Sequence, residues 1–318
     1  MTPTQLRAFA AVVRLGSVRR AAAELGVSEA AVSLHVGQLR KELSDELFTR
    51  ANSGLAFTPG GLRLARRAAE MLSLQERTVV EVSQAGHGRR LLRVGASSLF
   101  AEHAAPGLIE AFTARAADLD VELAAHSPEQ LPGLLHTRTV DVALGPRPAV
   151  VDAGVVYRPF LNYQMVPVAA AEHPLAAGQA DPARLREQTW LLGPSAASEV
   201  GTVADVLRQL GIPEGRQRIF QSHAAALEEV KRGHGVTLAL AFTVRPDLSR
   251  GTLVSVGGGA LCWNGAWHTA VLADSGAPAA ASELVRFLST PRATQAMVRG
   301  PGVHAGRFRP AVHVTLWS

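Results

Sequence analysis

From Leu6 to about Gln84, apolar residues recur every three or four positions; beyond that, short apolar runs alternate with helical stretches. Leu6, Phe9, Ala10 and Val13 form a first stripe, which ends at Gly16. Thr2-Pro3-Thr4-Gln5 before it supplies a cap, an early helical proline and a capping-box glutamine, so a helix starts here. Val18, Ala22 and Leu25 make a second, shorter stripe between a capping Ser17 and a terminating Gly26. After the capping Ser28, Val32, Val36, Leu39 and Leu43 predict one buried face of a third helix. With Val32 at the centre of that face, Ala30, Ser33, Leu34, Gly37 and Lys41 turn outward.

A short helix, a glycine turn and a second helix with small outward residues near its start have the layout of a helix-turn-helix DNA reader. An ordinary helical hairpin has the same periodicity, so the residues that follow decide. Leu47 and Phe48, the turn signal Asn52-Ser53-Gly54, and Leu55 and Phe57 predict a two-stranded wing with Arg50 and Asn52 near its tip. Thr58-Pro59 opens a longer helix, running to about Gln84. Leu62, Ala65, Ala69, Leu72, Glu76 and Val79 fall on its narrow seam, which suits pairing with a second copy. Packing on its own domain is the competing expectation. The stretch Ala85–Arg90 reads as a hinge.

From Leu91 the pattern becomes strand–helix alternation, expected for an α/β domain with a largely parallel sheet. Strands are expected at 92–96, 121–123 and 140–144, with helices at 104–116 and after Ser127-Pro128. Tyr163 to Ala170 is a further strand. Trp190–Leu192, a helix at 198–210, a strand at 218–221, a helix at 224–232 and Val236–Ala241 follow. A strand at 267–272 and a helix at 279–288 close the domain. In the tail, Val312, Val314 and Leu316 alternate with His313, Thr315 and Trp317, which reads as an added edge strand or as a disordered end.

The 318 residues suffice for two domains, and no apolar run reaches the roughly 18 residues of a membrane span. The start, MTPTQLRAFAAVV, shows no basic leader, so a cytoplasmic protein without membrane association is expected. The net charge is +5, and residues 1–67 alone hold ten Lys/Arg against five Asp/Glu. The whole basic excess therefore sits with the helix pair, as a polyanionic partner requires. The single Cys262 excludes an intrachain disulfide and a cysteine zinc site, and reads as a buried small hydrophobe.

On the DNA side, Ser17, Arg19 and Arg20 at a helix start suit phosphate contact. Ser28 caps the recognition helix, and Glu29, Ala30, Ser33 and Leu34 lie near its outward start. Leu34 suits a thymine methyl, and Ser33 a base or phosphate. Glu29 suits a cytosine amine or simply the helix dipole. Such a helix makes few base hydrogen bonds, leaving specificity to the wing (Arg50, Asn52) and to DNA shape.

In the α/β region, Ser97 and Ser98 after the first strand suit an anion such as a carboxylate at a helix start. Ser195 after a later strand, Ser222-His223 before a helix, and Thr243 complete a candidate ring; each also reads as a cap or turn residue. The eleven histidines show no metal-ligand spacing, so no metal site is expected. No GxSxG elbow, P-loop or dinucleotide fingerprint appears; no cofactor and no enzyme are expected.

The segment from Gln5 to about Leu74 resembles the N-terminal domain of LysR-type transcriptional regulators. The resemblance rests on LRAFAAVVRLGSVRRAAAELGVSEAAVS, on the Leu39, Leu43, Leu47-Phe48-Thr49-Arg50 spacing and on FTPGG. It extends over the rest of the chain. With RATQAM and RFRPAVHVTLWS near the end, it looks closest to an actinobacterial subgroup that includes regulators near carbon monoxide dehydrogenase genes. The chain departs from the family at Glu29-Ala30, Leu34, Arg40 and Ser44, where Gln-Pro, Arg, Glu and Gly are usual. The fold tolerates these changes, but the family's base contacts do not carry over.

The resemblance implies a homo-oligomer, a dimer or more usually a tetramer. It acts on double-stranded promoter DNA, with RNA polymerase as a further partner, under a small-molecule effector. It implies an α/β fold class with an all-α-rich N-terminal winged helix-turn-helix. The effector domain has two α/β lobes and resembles a periplasmic-binding-protein fold. The expected organisation is 1–58 DNA-binding domain, 59–88 linker helix and hinge, 89–299 effector domain and 300–318 tail. Lobe I takes 89–162 and 268–299, and lobe II takes 163–267. Two alternatives stand beside this reading: a DNA-binding protein whose second domain only oligomerises, and an α/β enzyme or solute receptor.

Overall fold

The structure, a computed structural model, describes residues 1–51, 54–85, 89–176, 182–257, 261–273 and 278–299. Asn52, the 86–88 part of the expected hinge and the 300–318 tail lie outside them. The chain divides into two compact units, one holding Met1–His87 and the other Gly88–Leu135 with the chain from Val140. No helix of the described residues is long and apolar enough to cross a membrane.

The first unit opens with three helices, α1 (Pro3–Leu15), α2 (Val18–Leu25) and α3 (Glu29–Leu43). Thr2 and Gln5 form a complete capping box on α1. Gly16 and Gly26 end α1 and α2 at φ 63° and 65°, in the left-handed region that glycine enters without a Cβ clash. Phe9, Val12, Val32 and Leu39 are fully buried in the shared core. Leu43, expected on the same face, is 40% exposed. The helix outruns the core there, and Leu47, 1% exposed, fills that end instead.

The wing is the antiparallel pair β1 (Phe48–Ala51) and β2 (Gly54–Phe57). Helix α4 (Pro59–Ala85) follows. Leu64 and Ala68 bury against this unit's core, with Ala65 and Leu72 packed on it. Leu62, expected on the seam, is 59% exposed. Thus two of the six expected seam residues, Ala65 and Leu72, serve the unit itself, because the buried stripe is set by Leu64 and Ala68.

In the second unit β3 (Arg90–Ser97) leads into α5 (Ser98–His103) and α6 (Ala105–Thr113). A single helix at 104–116 was the expectation; Pro106 in the first turn of α6 cannot continue a helix from α5, so the chain breaks at Ala104. There follow β4 (Leu119–His126), α7 (Leu131–His136), β5 (Val142–Gly145) and β6 (Val155–Ala170). β6 is a 16-residue strand where half that length was expected. Next come α8 (Pro182–Arg186), β7 (Trp190–Leu192), a 3-10 turn (Pro194–Ala197), α9 (Thr202–Leu210), β8 (Gln217–Ile219) and α10 (His223–Lys231). The helix expected from Ser198 starts at Thr202, after Gly201 at φ 117°. The chain finishes with β9 (Val236–Leu240), α11 (Ala241–Arg250), β10 (Leu253–Ser255), β11 (Trp263–Leu272), α12 (Ala279–Leu288) and α13 (Pro291–Arg299). α8, α11, β10 and α13 escape the sequence pattern; Pro246 inside α11 disguises it as a loop.

Strand order is β4-β3-β5-β11-β6-β9-β7-β8, with β10 on β6. β3, β4 and β5 run parallel, as do β7, β8 and β9. The long antiparallel pair β6–β11 belongs to both halves and joins them. This is the two-lobed α/β arrangement with two crossing strands. Trp267 on β11 is fully buried at the join. Its ring lies 4.9 Å from Phe100 of α5, 4.5 Å from Tyr163 of β6 and 6.5 Å from Phe242 of α11. One aromatic cluster therefore spans both lobes.

Candidate functional site

The helix pair presents its outward residues as the periodicity requires. Arg19 and Arg20 on α2 are exposed, as are Ser28, Glu29, Ala30 and Ser33 on or before α3. Leu34 is 60% exposed, an apolar side chain held open to solvent on the recognition helix. Ser17 and Ser28 each use the hydroxyl as a cap, accepting from the N–H of Arg20 at 3.4 Å and Ala31 at 3.1 Å. Their hydroxyls therefore hold the two helix starts in place. Arg50 lies on β1 opposite Leu55.

Two departures from the family pattern have local explanations. Arg40 donates to the Phe48 carbonyl at 2.5 Å, with its guanidinium 4.8 Å from the Phe48 ring centroid. It thereby ties the recognition helix to the wing. Ser44 ends α3 at φ 51°, a left-handed position where glycine costs least.

The FTPGG motif is steric. The Asp45 carboxylate accepts from Thr58 Oγ1 and from the Leu47 N–H, both at 2.6 Å, and these bonds hold it below its ordinary pKa. A Cβ on Gly60 would meet Asp45 Oδ2 at 2.0 Å, and one on Gly61 would meet the Leu47 carbonyl oxygen at 1.9 Å. Only glycine lets the wing backbone lie on the start of α4.

In the second unit, a narrow cleft is lined by Leu99, His103, Gly193, His223, Leu240 and Thr243. His223 Nε2 lies 2.8 Å from Ser195 Oγ, and its Nδ1 lies 2.8 Å from Glu102 Oε2. Glu102 also accepts the N–H of His223 at 2.8 Å and of Ala224 at 2.6 Å. A carboxylate from lobe I thus caps the start of α10 in lobe II. Burial pushes the Glu102 carboxyl up, but the His223 ring and the two backbone N–H bonds outweigh it and hold the group at about 2. His103 packs edge-on to His223 with centroids 5.6 Å apart. Burial, with the nearby His223 adding to it, brings its pKa down to about 4.

The Ser195–His223–Glu102 chain has the connectivity of a nucleophile relay. Here its carboxylate end also caps a helix, so the bonds orient the His223 ring across the lobe junction. A second lobe-to-lobe bond set lies nearby. Glu129 accepts from Ser198 Oγ at 2.5 Å, from Glu199 N at 2.7 Å and from Val200 N at 3.0 Å.

Of the expected ring, Ser195 and His223 are bonded together and Thr243 lines the same cleft, its hydroxyl donating to the Leu240 carbonyl at 2.8 Å. Ser222 caps α10 instead, accepting from Ala225 N at 3.1 Å. Ser98 is half-buried at the start of α5. Ser97 is buried, and its Oγ and the Trp267 Nε1 have no hydrogen-bond partner among the described residues. The helix start at Ser222-His223, a member of the expected ring, is already filled by Glu102.

Sequence reasoning passed over Glu102, His103 and Glu129. The adjacent Glu-His pair was visible, but its partner His223 lies 121 residues from Glu102. Cys262, expected to be buried, is exposed, because it sits at the end of the segment before β11 rather than in a core.

Residues 3–62 match the family of bacterial regulatory helix-turn-helix proteins of the lysR type, and residues 85–291 match the LysR substrate binding domain. The chain is 60% identical to the uncharacterized HTH-type transcriptional regulator Rv0377 of Mycobacterium tuberculosis, over all of both chains. It is 30% identical to the RuBisCO operon transcriptional regulator of Allochromatium vinosum, over 79% of this chain and 83% of that one. Among solved structures, ArgP from Mycobacterium tuberculosis shares the fold at TM-score 0.60 and 19% identity, over 90% of this chain and 97% of that one. CbnR does so at 0.59 and 18%, over 93% and 99%. The matched family models and the two sequence relatives are those of transcriptional regulators, so the enzyme and solute-receptor readings fall away. The chain belongs to the LysR family of transcriptional regulators.

Proposed function

We propose that the protein is a cytoplasmic, homo-oligomeric regulator that grips promoter DNA through α2, α3 and the wing, and adjusts that grip when a small molecule enters the cleft between its lobes. The observation that carries the DNA reading is the recognition helix. It exposes Ala30, Ser33 and Leu34 within the first 67 residues, whose net charge of +5 equals that of the whole chain. Arg19, Arg20, Arg50 and Asn52 contact phosphate and the minor groove, while Leu34 reads a thymine methyl.

Oligomerisation is supported by α4, where Leu62, Met71, Leu74, Val79 and Val82 are 44–68% exposed. A helix that exposes this many large apolar side chains is covered by a second copy. Effector binding is supported by the buried hydroxyl of Ser97 and the indole N–H of Trp267. Each lacks a partner among the described residues, a cost of about 1–3 kcal/mol that a polar ligand relieves. LysG of Corynebacterium glutamicum, which shares the fold, was solved with arginine as its bound effector.

Gel shift of the full chain on DNA flanking its own gene, across a salt series, tests the first half. Binding must weaken with salt at a slope of about −0.9 per phosphate contacted. A single-subunit species indifferent to such DNA at low salt overturns the reading. A thermal-shift panel of small polar molecules separates effector binding from a purely oligomerising second domain.

A further inference from the structure

Glu102 and His103 end helix α5 of lobe I, and His223 starts helix α10 of lobe II. One ligand atom from each, two imidazole nitrogens and a carboxylate oxygen, lie within 4.8 Å of one another. All three residues are half-buried, so the cluster is enclosed by protein yet open to the cleft. We propose that these three side chains form a binding site for a first-row divalent metal ion, of the zinc or iron(II) class, bridging the two lobes. The inference rests on the reading of this cleft as the effector site and names a component of the ligand.

The donor set selects the metal class. Two imidazoles and one carboxylate suit zinc and its neighbours, and are poor ligands for magnesium or calcium, which demand oxygen. For His223 the second shell is already in place. A ligating histidine needs its other ring nitrogen oriented by a partner, and His223 has Ser195 Oγ 2.8 Å from Nε2. Without metal, the Nδ1 proton faces the acceptor-only Glu102 carboxylate, and the Ser195 hydroxyl donates to Nε2. With metal, His223 takes the other tautomer. Nδ1 gives its lone pair to the ion, Nε2–H donates to Ser195 Oγ, and no net proton need leave. Glu102 Oε1 keeps the Ala224 N–H, while Oε2 keeps that of His223 and offers its remaining lone pair.

The geometry also gives the ion a mechanical role. Ligand atoms around a tetrahedral zinc stand about 3.3 Å apart, since each bond is about 2.0–2.1 Å. Glu102 Oε2 of α5 and His223 Nδ1 of α10 already stand 2.8 Å apart, so an ion seated on this pair fastens the two lobes together where they already meet. Three protein ligands leave a coordination position facing the cleft, where a carboxylate or hydroxyl of an organic effector binds directly.

The test uses untagged full-length protein stripped with chelator and titrated with Co²⁺, whose visible absorption reports its ligands, and with Zn²⁺ against a chromophoric competitor. One ion per chain is expected, with a spectrum of nitrogen and oxygen ligands and no sulfur charge-transfer band. His103→Gln and Glu102→Gln should each weaken binding at least 100-fold, and Ser195→Ala about 10-fold. His234→Gln, at a surface histidine bonded to Glu229, should leave it unchanged. No stoichiometric binding, binding that survives both ligand substitutions, or a sulfur band pointing to Cys262 overturns the inference. If a ligand variant misfolds by circular dichroism, the Co²⁺ spectrum of the parent and the Ser195→Ala titration decide. A parallel gel shift in chelator keeps the outcomes apart. DNA binding that persists while metal binding fails sinks the metal site alone.

Discussion

Gly193 sets how closely the backbone of lobe II approaches His223, and Gly193→Ala measures what that approach is worth. At φ −86° and ψ −177° any residue is comfortable, so the effect is purely steric. An added Cβ would stand 2.4 Å from His223 Cδ2, 2.5 Å from Cγ and 2.8 Å from Nε2. Carbon contacts need about 3.5 Å, so the ring must withdraw by about 1 Å. The ring has little room, since its side chain is 9% exposed and bonded at 2.8 Å on both sides. Withdrawal stretches one of those bonds beyond hydrogen-bond range. Overpacking of this kind costs about 1–3 kcal/mol, and a lost bond adds about 1 kcal/mol, giving roughly 2–4 kcal/mol. For a unit of this size, that lowers the melting temperature by roughly 5–15 °C. Calorimetry of the full chain reads the shift, and imidazole nitrogen NMR reads the His223 tautomer. Gly215→Ala, where a Cβ meets nothing within 4 Å, is the control. A variant that melts with the parent and leaves the His223 signals in place refutes the reasoning.

Three further outcomes follow from the first unit. Ser44→Gly removes a left-handed serine at φ 51° and should stabilise that unit by about 1 kcal/mol, the left-handed cost less the added freedom of the unfolded chain, read in denaturant titration. Arg40→Ala removes the bond to the Phe48 carbonyl and the ring contact, and should cost about 2 kcal/mol in the same assay; an unchanged midpoint discounts the helix-to-wing tie. Leu34→Arg should raise general DNA affinity and change site preference, while Leu34→Ala should weaken specific binding about fivefold, the value of about 1 kcal/mol of methyl contact. If Leu34→Ala alters neither affinity nor preference in a binding assay, the thymine-methyl contact is wrong.

The first unit was legible because its determinants are local. Thr2 and Gln5, Ser17 and Ser28, Gly16 and Gly26 all act within one helical turn, so a few adjacent residues suffice to place each helix end. Leu43 and Leu62 misled because periodicity names a face but not how far the core extends along it. The strands of the second unit were legible as apolar runs, whereas α11 was hidden by its own proline. The cleft was the least legible. Ser195 and His223 were visible as turn residues, but their bond joins positions 28 residues apart, and the Glu102 that faces them lies 121 residues from His223. Gly193 looked like any turn glycine; its requirement lies in the ring packed against it.

That packing bears on what enters the cleft. A free helix start attracts anions; on sequence alone Ser97-Ser98 was the expected anion seat, with the helix start at Ser222-His223 a further member of the ring. The structure puts the protein's own carboxylate there. Glu102 satisfies two N–H groups of α10, and Glu129 does the same for residues 199 and 200. A second anion brought within about 4 Å of Glu102 meets a repulsion of about 4 kcal/mol at an effective dielectric of 20, unless a cation comes with it or Glu102 gives way. Effector entry at this point therefore takes one of three forms: a neutral or cationic group that shares the carboxylate, an anion that displaces it and opens the lobe contact, or an anion carried on a metal ion. The three differ in a measurable way. Glu102→Gln strengthens binding of a displacing anion by removing its competitor, and it weakens a cationic or metal-borne ligand by removing its counter-charge. Stronger binding therefore marks a displacing anion, and weaker binding marks a cation or a metal-borne anion, which a chelator then separates.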